Sequence, residues 1–235
     1  MVHSFCYAEN REMMHMNDNS IRKILIEYLS ASFDKIRIYQ EKMIGSAVCD
    51  VMAVTDCLTG YEIKSDLDNY DRLEHQVSAY SQFFDKNYLV VSARHRVSAS
   101  DKVPPEWGII CILGESISME RPARWNRSVS LRMQLSILWK LELKNLLIKN
   151  GMPLYAQKPK GFIADRILEH VAPDLLGQQI AEELLCRDAS VFQTQNLSED
   201  EKQYTPIMEL LDSTSEQDLS ELTLDKWIGM YVMII

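Results

Sequence analysis

The order of apolar segments between residues 21 and 113 constrains the fold more than any other feature of this sequence. A helical stripe that Asn19 or Ser20 can cap comes first, formed by Ile21, Ile24, Leu25, Tyr28 and Leu29. Three segments typical of strands follow closely: KIRIYQ (35–40), AVCDVMAV (47–54) and YEIKS (61–65). Connections this short predict an antiparallel meander.

A second helix and two more strands complete the pattern. Asp66 or Asp68 can cap a helix that runs to about Phe84. YLVVSA (88–93) and WGIICIL (107–113) are typical of buried strands. The order helix, three strands, helix, strand, strand predicts an α/β fold.

Charged residues interrupt the second and third strands. Glu62 and Lys64 are expected to share one face and Tyr61 and Ile63 the other, because strand side chains alternate. Asp50, in the second strand, is expected to lie in the same neighbourhood as Glu62 and Lys64. Carboxylate oxygens of Asp50 and Glu62, with the main-chain carbonyl of Ile63, suit a hard divalent cation, either Mg²⁺ or Mn²⁺.

The lysine adds a chemical role to this set. An ammonium group beside a metal-bound water can orient that water or neutralise charge that grows on phosphorus during phosphodiester hydrolysis. The alternative is that Asp50, Glu62 and Lys64 form an ion-pair cluster at a sheet edge, since the E-x-K spacing also arises by chance.

The motifs around these residues resemble a known superfamily. Asp50, the Glu62-Ile63-Lys64 tripeptide and the Gln76-x3-Tyr80 spacing resemble PD-(D/E)xK nucleases, the last feature resembling their RecB-type exonuclease branch. More closely, GYEIKSDLDNYDRLEHQVSAYSQFFDKNYLVV with PPEWGII resembles a group of small bacterial and phage proteins of that superfamily. The resemblance covers about residues 35–115, and more loosely extends to about residue 189.

This resemblance implies a restriction-endonuclease-like α-β-β-β-α-β core with a helical C-terminal extension. It also implies a metal-dependent nuclease that cuts DNA in preference to RNA. In such an enzyme Asp50 and Glu62 bind the metal, Lys64 assists the nucleophilic water, and Gln76 lies over the site.

Other carboxylates and a tyrosine are further candidates for this site. Glu41 matches an acidic position upstream of the aspartate in the group, and Tyr80 is an additional candidate on the second helix. Whether Glu41 or Glu27 supplies a third carboxylate is left open. The basic residue expected just before the aspartate is absent, because SAVCD stands there.

Basic residues elsewhere are weighed against simple surface roles. Lys158, Lys160 and Arg166 could contact nucleic-acid phosphates, although short basic clusters are more often solvated surface. His95 could act as a general base, but a solvated loop histidine is the favoured interpretation.

Charge and composition divide the chain into four predicted regions. These are an N-terminal extension (1–16), a nuclease-like core (17–120), a helical C-terminal subdomain (121–189) and an acidic tail ending in an apolar segment (190–235). The tail holds nine acids and two lysines, so most of the net charge of −9 belongs to it. Its last ten residues are expected to dock on the helical part or on another subunit, or else to complete the domain.

Composition also restricts the compartment and partners. Five scattered cysteines without a C-x-x-C spacing argue against a disulfide framework and a zinc site. No long apolar run is present, so a soluble cytoplasmic protein without membrane partners is expected. The alternative to a nuclease is a catalytically silent module of this fold that serves a mobile-element or defence complex.

Overall fold

The computed structural model describes residues 16–187 and shows a mixed α/β protein. Its helices and strands follow one another as α1 (Asp18–Ser32), β1 (Arg37–Ile44), β2 (Ala47–Val54), β3 (Leu58–Lys64), α2 (Leu73–Phe83), β4 (Lys86–Ser92), β5 (Gly108–Leu113), β6 (Ser116–Arg121), α3 (Leu131–Ser136), α4 (Lys140–Lys149), α5 (Lys160–His170) and α6 (Pro173–Cys186). Two short 3₁₀ turns, Ala93–His95 and Ala99–Asp101, lie between β4 and β5. The predicted α/β class and the helical C-terminal part are therefore confirmed.

The six strands form one sheet in the order β1-β2-β3-β4-β5-β6. The pairs β1–β2, β2–β3 and β5–β6 are antiparallel, whereas β3–β4 and β4–β5 are parallel. Helix α2 makes the crossover between β3 and β4, which a parallel pair requires. The predicted meander of the first three strands is confirmed, and β6 is an additional strand that the sequence pattern did not indicate.

Each face of the sheet carries its own hydrophobic cluster. Helix α1 covers one face, where Ile21, Leu25 and Leu29 are buried against residues such as Val51 and Ile63. The other face packs against α2 and the C-terminal helices, whose buried side chains belong to one cluster with the sheet. The helices after residue 130 therefore share a core with the strands that carry Asp50 and Glu62.

Both predicted helix caps are wrong in position. Helix α1 is capped by Asn17, whose side chain accepts a hydrogen bond from the N–H of Ser20. Helix α2 begins only at Leu73, because the acids before it serve the preceding loop instead. Asp66 accepts from the N–H of Met16, and Asp68 accepts from the N–H and hydroxyl of Ser65.

The predicted terminal regions fall almost wholly outside the described residues. The N-terminal extension (1–16) overlaps them only at Met16, and the acidic tail (190–235) lies beyond Arg187. Between residues 16 and 187, no helix combines the length and apolar character needed to cross a bilayer.

Candidate functional site

Asp50 lies at a fork between β2 and β3. The regular pairing of these strands ends at Val51 and Tyr61, so the two strands separate beyond that point. The Asp50 carboxylate occupies the opening and accepts the N–H of Ile63 through Oδ2 at 2.8 Å. Because N–H and C=O of one strand residue point to the same side, the Ile63 carbonyl is directed toward the same opening.

In β1 and β2, the alternation of side chains between the two faces of the sheet shifts by one residue near Asp50. In β2, Ala47 and Cys49 belong to the α2-side cluster, but Val51 belongs to the α1-side cluster. The facing strand β1 has Glu41 in the left-handed backbone region, with φ of 50°. The change of phase places Asp50 between the two cores, within reach of side chains from both faces of the sheet.

Glu62 and Lys64 form a buried ion pair on the α2 side of β3. Lys64 Nζ lies 2.9 Å from Glu62 Oε1 and donates to Gln76 Oε1 at 3.1 Å. The side chains of Glu62 and Lys64 are 1% and 9% exposed. The structure thus brings Lys64, Glu62 and Gln76 together, as the sequence predicts.

Tyr80 ties this pair to β2. Its hydroxyl donates to Glu62 Oε2 at 2.8 Å and accepts the N–H of Asp50 at 3.2 Å. Burial raises the pKa of Tyr80 well above its ordinary value, and neighbouring Cys49, Glu62 and Asp50 add to the rise. The hydroxyl therefore keeps its proton and can serve as a donor, which fixes the second oxygen of Glu62.

Arg22 of α1 approaches Asp50 from the opposite face. Its guanidinium bonds Asp18 at 2.8 Å and Glu41 at 3.0 Å, and lies 3.9 Å from Asp50 Oδ1. The sequence interpretation missed Arg22, which supplies a cation near the aspartate although SAVCD has none. The signal that could have found it is its place next to Ile21, one turn after the start of a helix that packs on this sheet.

Burial dominates the electrostatics of Asp50. It raises the pKa of the carboxyl to about 7, and the charge of Glu62 adds to the rise. The N–H of Ile63 and the positive charge of Arg22 oppose this change but do not cancel it. An aspartate held at this pKa favours binding of a cation, because a cation stabilises the charged form.

Removal of the Tyr80 hydroxyl provides a test of this arrangement. Tyr80→Phe leaves Glu62 Oε2 and the Asp50 N–H without their buried partner, so we expect a loss of about 1–3 kcal/mol in unfolding free energy. Urea denaturation measures this value. Tyr61→Phe is the matched control, because its hydroxyl makes no hydrogen bond to a described residue. Equal stability of the two variants would contradict the assigned role of Tyr80.

The other candidate residues are Glu41, Glu27 and His95. Glu41 bonds Arg22 and its side chain is 71% exposed, whereas Glu27 is an exposed partner of Lys23 on α1. His95 is buried and packs edge-on against Tyr70, so the interpretation as a solvated loop residue is wrong. It is the last residue of the 3₁₀ turn Ala93–His95, which follows β4.

The predicted phosphate-contacting residues lie around α5. Lys158 lies over the ring of Phe162, and Arg166 packs on the same ring while pairing with Glu169. Lys160 is half-buried and donates to the carbonyl of Ser136. Lys160 is thus held close to the C-terminal helices, unlike the exposed Lys158.

The donor set fits a hard divalent cation in chemistry. Asp50 and Glu62 offer carboxylate oxygens and Ile63 a main-chain carbonyl, which suits Mg²⁺ because that ion keeps several waters. In the part of the chain from residue 16 to residue 187, no group of three or more histidine, cysteine or acidic side chains gathers for a metal. Two carboxylates and a carbonyl therefore define the proposed ligands.

The fold and site define a mixed α/β protein with a cluster of carboxylates and a lysine at a strand fork. The family model of bacteriophage P4 protein cII matches residues 12–193, so the chain belongs to this family. This match confirms the phage association that the sequence resemblance implied. The family match does not bear on nuclease activity.

Comparisons with individual proteins do not indicate a function. No curated protein matches the chain. Among solved structures, a protein of unknown function from Silicibacter pomeroyi, SPO1766, is similar with a TM-score of 0.40 and 17% sequence identity. The similarity covers 49% of this chain and 77% of that one.

Proposed function

We propose that this protein is a Mg²⁺- or Mn²⁺-dependent nuclease of the PD-(D/E)xK type that hydrolyses phosphodiester bonds, in DNA rather than RNA. The observation that carries the proposal is the position of Lys64. Its ammonium is held between Glu62 and Gln76, on the strand whose Ile63 N–H binds Asp50. A lysine this well buried has little value for solubility, and a chemical role accounts for its placement.

The chain's own groups have separate roles in this proposal. Asp50 and Glu62 hold the cation, with the Ile63 carbonyl beside them, and a bound cation would lower the pKa of its water. Lys64 orients the attacking water or neutralises charge on the phosphorus-bound oxygens. Gln76 and Tyr80 fix the orientations of Lys64 and Glu62 through the hydrogen bonds already described.

A catalytically silent binding or regulatory module is the alternative. It is favoured by the ion pairs at the site, since Lys64 already neutralises Glu62 and Arg22 lies near Asp50. It is also favoured by the metal-ligand count, because the described residues include no group of three or more histidine, cysteine or acidic side chains that could hold a metal ion. Such a module would bind nucleic acid or protein without any requirement for divalent metal.

Cleavage assays distinguish the two functions. We expect the wild-type protein to cleave linear, circular or single-stranded DNA with Mg²⁺ or Mn²⁺ and to be inactive with a chelator. Lys64→Met keeps the aliphatic stem but removes the ammonium, and we expect turnover to fall roughly 100-fold or more while DNA affinity is retained. Circular dichroism verifies that the variant is folded.

Lys144→Met, on helix α4, is the matched control and should cleave at the wild-type rate. If Lys64→Met also cleaves at that rate, Lys64 is a structural ion-pair partner. If the wild-type protein binds DNA but cleaves none of the substrates in either metal, the silent module is the correct function.

A further inference from the structure

A second group of cations surrounds a buried carboxylate between β1 and the C-terminal helices. Arg187 bonds both oxygens of Glu142 at 2.6 Å and donates to the carbonyl of Ile137 at 2.9 Å. The guanidinium also stacks on Trp139 at 4.3 Å. Because the N–H of Trp139 binds Glu142 as well, the carboxylate has its hydrogen-bonding capacity largely used.

Two lysines lie beside this saturated pair. Lys160 Nζ donates to the carbonyl of Ser136 at 2.6 Å, directly before the carbonyl that Arg187 binds. Lys42 lies three residues after Tyr39 on β1, and the Tyr39 ring lies 5.8 Å from the Arg187 guanidinium. Burial lowers the pKa of both lysines; the charge of Arg187 lowers it as well, and the charge of Glu142 opposes this change without cancelling it.

Neither lysine has a carboxylate of its own. In the chain between Met16 and Arg187, no ion pair includes Lys42 or Lys160. Arg187 Nη1 is also buried and has no hydrogen-bond partner within residues 16–187. Three cations around one carboxylate that Arg187 already satisfies leave a positive surplus, which is unfavourable in a half-buried place unless an anion joins it.

The position of this group relates it to the strand fork. Lys42 pairs in register with Cys49, the residue before Asp50. Since β1, β2 and β3 are neighbours in the sheet and β2 and β3 separate beyond Val51, Lys42 lies at least two strand spacings, or roughly 10 Å or more, from the strand of Glu62. A short stretch of sugar-phosphate backbone can therefore reach both places.

We propose that Lys42 and Lys160, supported by the charge of Arg187, bind a backbone phosphate of the nucleic acid next to the phosphodiester held at Asp50, Glu62 and Lys64. This inference rests on the proposed nuclease function. It assigns Lys42 a binding role and gives Lys160 a specific partner. Arg187 acts as a positioning residue, because its own hydrogen bonds are made to Glu142 and Ile137.

Binding measured under chelating conditions tests this site apart from cleavage. Fluorescence anisotropy of a labelled DNA duplex over a range of salt concentrations compares the wild type with Lys42→Gln/Lys160→Gln. We expect the double variant to bind roughly tenfold or more weakly and to lose about two from the slope of log affinity against log salt. Lys35→Gln/Lys86→Gln is the charge-matched control. Lys35 lies just before β1 and Lys86 is the first residue of β4, so this variant should keep both the DNA affinity and the salt slope close to those of the wild type.

Calorimetric titration with pyrophosphate separates this site from the nuclease proposal. Pyrophosphate binding that the Lys42→Gln/Lys160→Gln variant loses, together with weaker DNA binding by that variant, supports the site even if the wild type cuts no DNA, and in that case only the nuclease function fails. DNA binding with the same affinity and salt slope in wild type and double variant overturns the site, even if the protein is a nuclease. Absence of DNA binding by the wild type overturns it as well.

Discussion

Asp50→Asn is expected to abolish Mn²⁺ binding and DNA cleavage while it makes the metal-free fold more stable at pH 8. The carboxylate is one of two proposed oxygen ligands, and an amide oxygen without charge is a weak substitute for it. The amide can still accept the N–H of Ile63, so the strand fork should be preserved. The variant therefore separates a ligand from a merely structural aspartate.

The gain in stability follows from the pKa of Asp50. Folding raises this pKa from an ordinary 3.8 to about 7, so the folded protein holds the carboxyl proton more tightly than the unfolded chain. The resulting stabilisation is full below about pH 4 and is lost as the pH rises through 7. It amounts to about 4 kcal/mol at most, since one pKa unit corresponds to about 1.4 kcal/mol.

Urea unfolding at pH 5 and pH 8 in chelator measures this effect, and calorimetry measures the heats of Mn²⁺ binding. The wild type should lose more stability than Asp50→Asn between these pH values. Asp56→Asn is the matched control in the loop after β2, where the pKa is lowered instead of raised. Equal Mn²⁺ heats for wild type and Asp50→Asn would remove Asp50 from the proposed ligands.

Arg187→Ala is expected to cost about 3–5 kcal/mol of unfolding free energy, because it leaves Glu142 buried without its counter-charge. The side chains of this pair are 2% and 6% exposed. The double variant Glu142→Leu/Arg187→Met removes both charges and should recover most of the loss. Urea denaturation of the three proteins measures the difference.

Lys149→Ala gives a comparison at the surface of the same helices. Lys149 pairs with Glu182 and Glu183 but remains 38% exposed, so its removal should cost less than about 1 kcal/mol. A loss for Arg187→Ala as small as this would show that water reaches Glu142.

Much of the fold could be predicted because strand patterns depend on residues that are close in sequence. Alternation in residues 35–40, the apolar run 47–54 and the segment 61–65 after a turn-rich stretch locate three strands, and alternation assigns Glu62 and Lys64 to one face. Helix caps could not be predicted in the same way, because several acids and amides compete near each helix start. Asp66 and Asp68 precede α2 as a capping residue would, but their carboxylates accept hydrogen bonds from the N–H groups of Met16 and Ser65 instead.

The site could be predicted only as far as its residues lie in one motif. Strand alternation assigns Glu62 and Lys64 to one face, whereas Gln76 was expected over them only because the family resemblance implied it. Arg22 reaches Asp50 through the packing of α1 on the sheet, which no spacing in the sequence specifies. Arg187 reaches Glu142 across a larger separation still, and only the tertiary fold shows this contact.

The change of phase at Asp50 has an evolutionary consequence. Because the side-chain alternation of β1 and β2 shifts there, one residue is contacted from two separate hydrophobic cores. A substitution that repacks α1 moves Arg22 relative to the Asp50 carboxylate, and one that repacks α2 moves Tyr80 relative to the Asp50 N–H, so both alter the surroundings of Asp50. Residues of the two helices should therefore covary among members of this phage family, although the sheet lies between them.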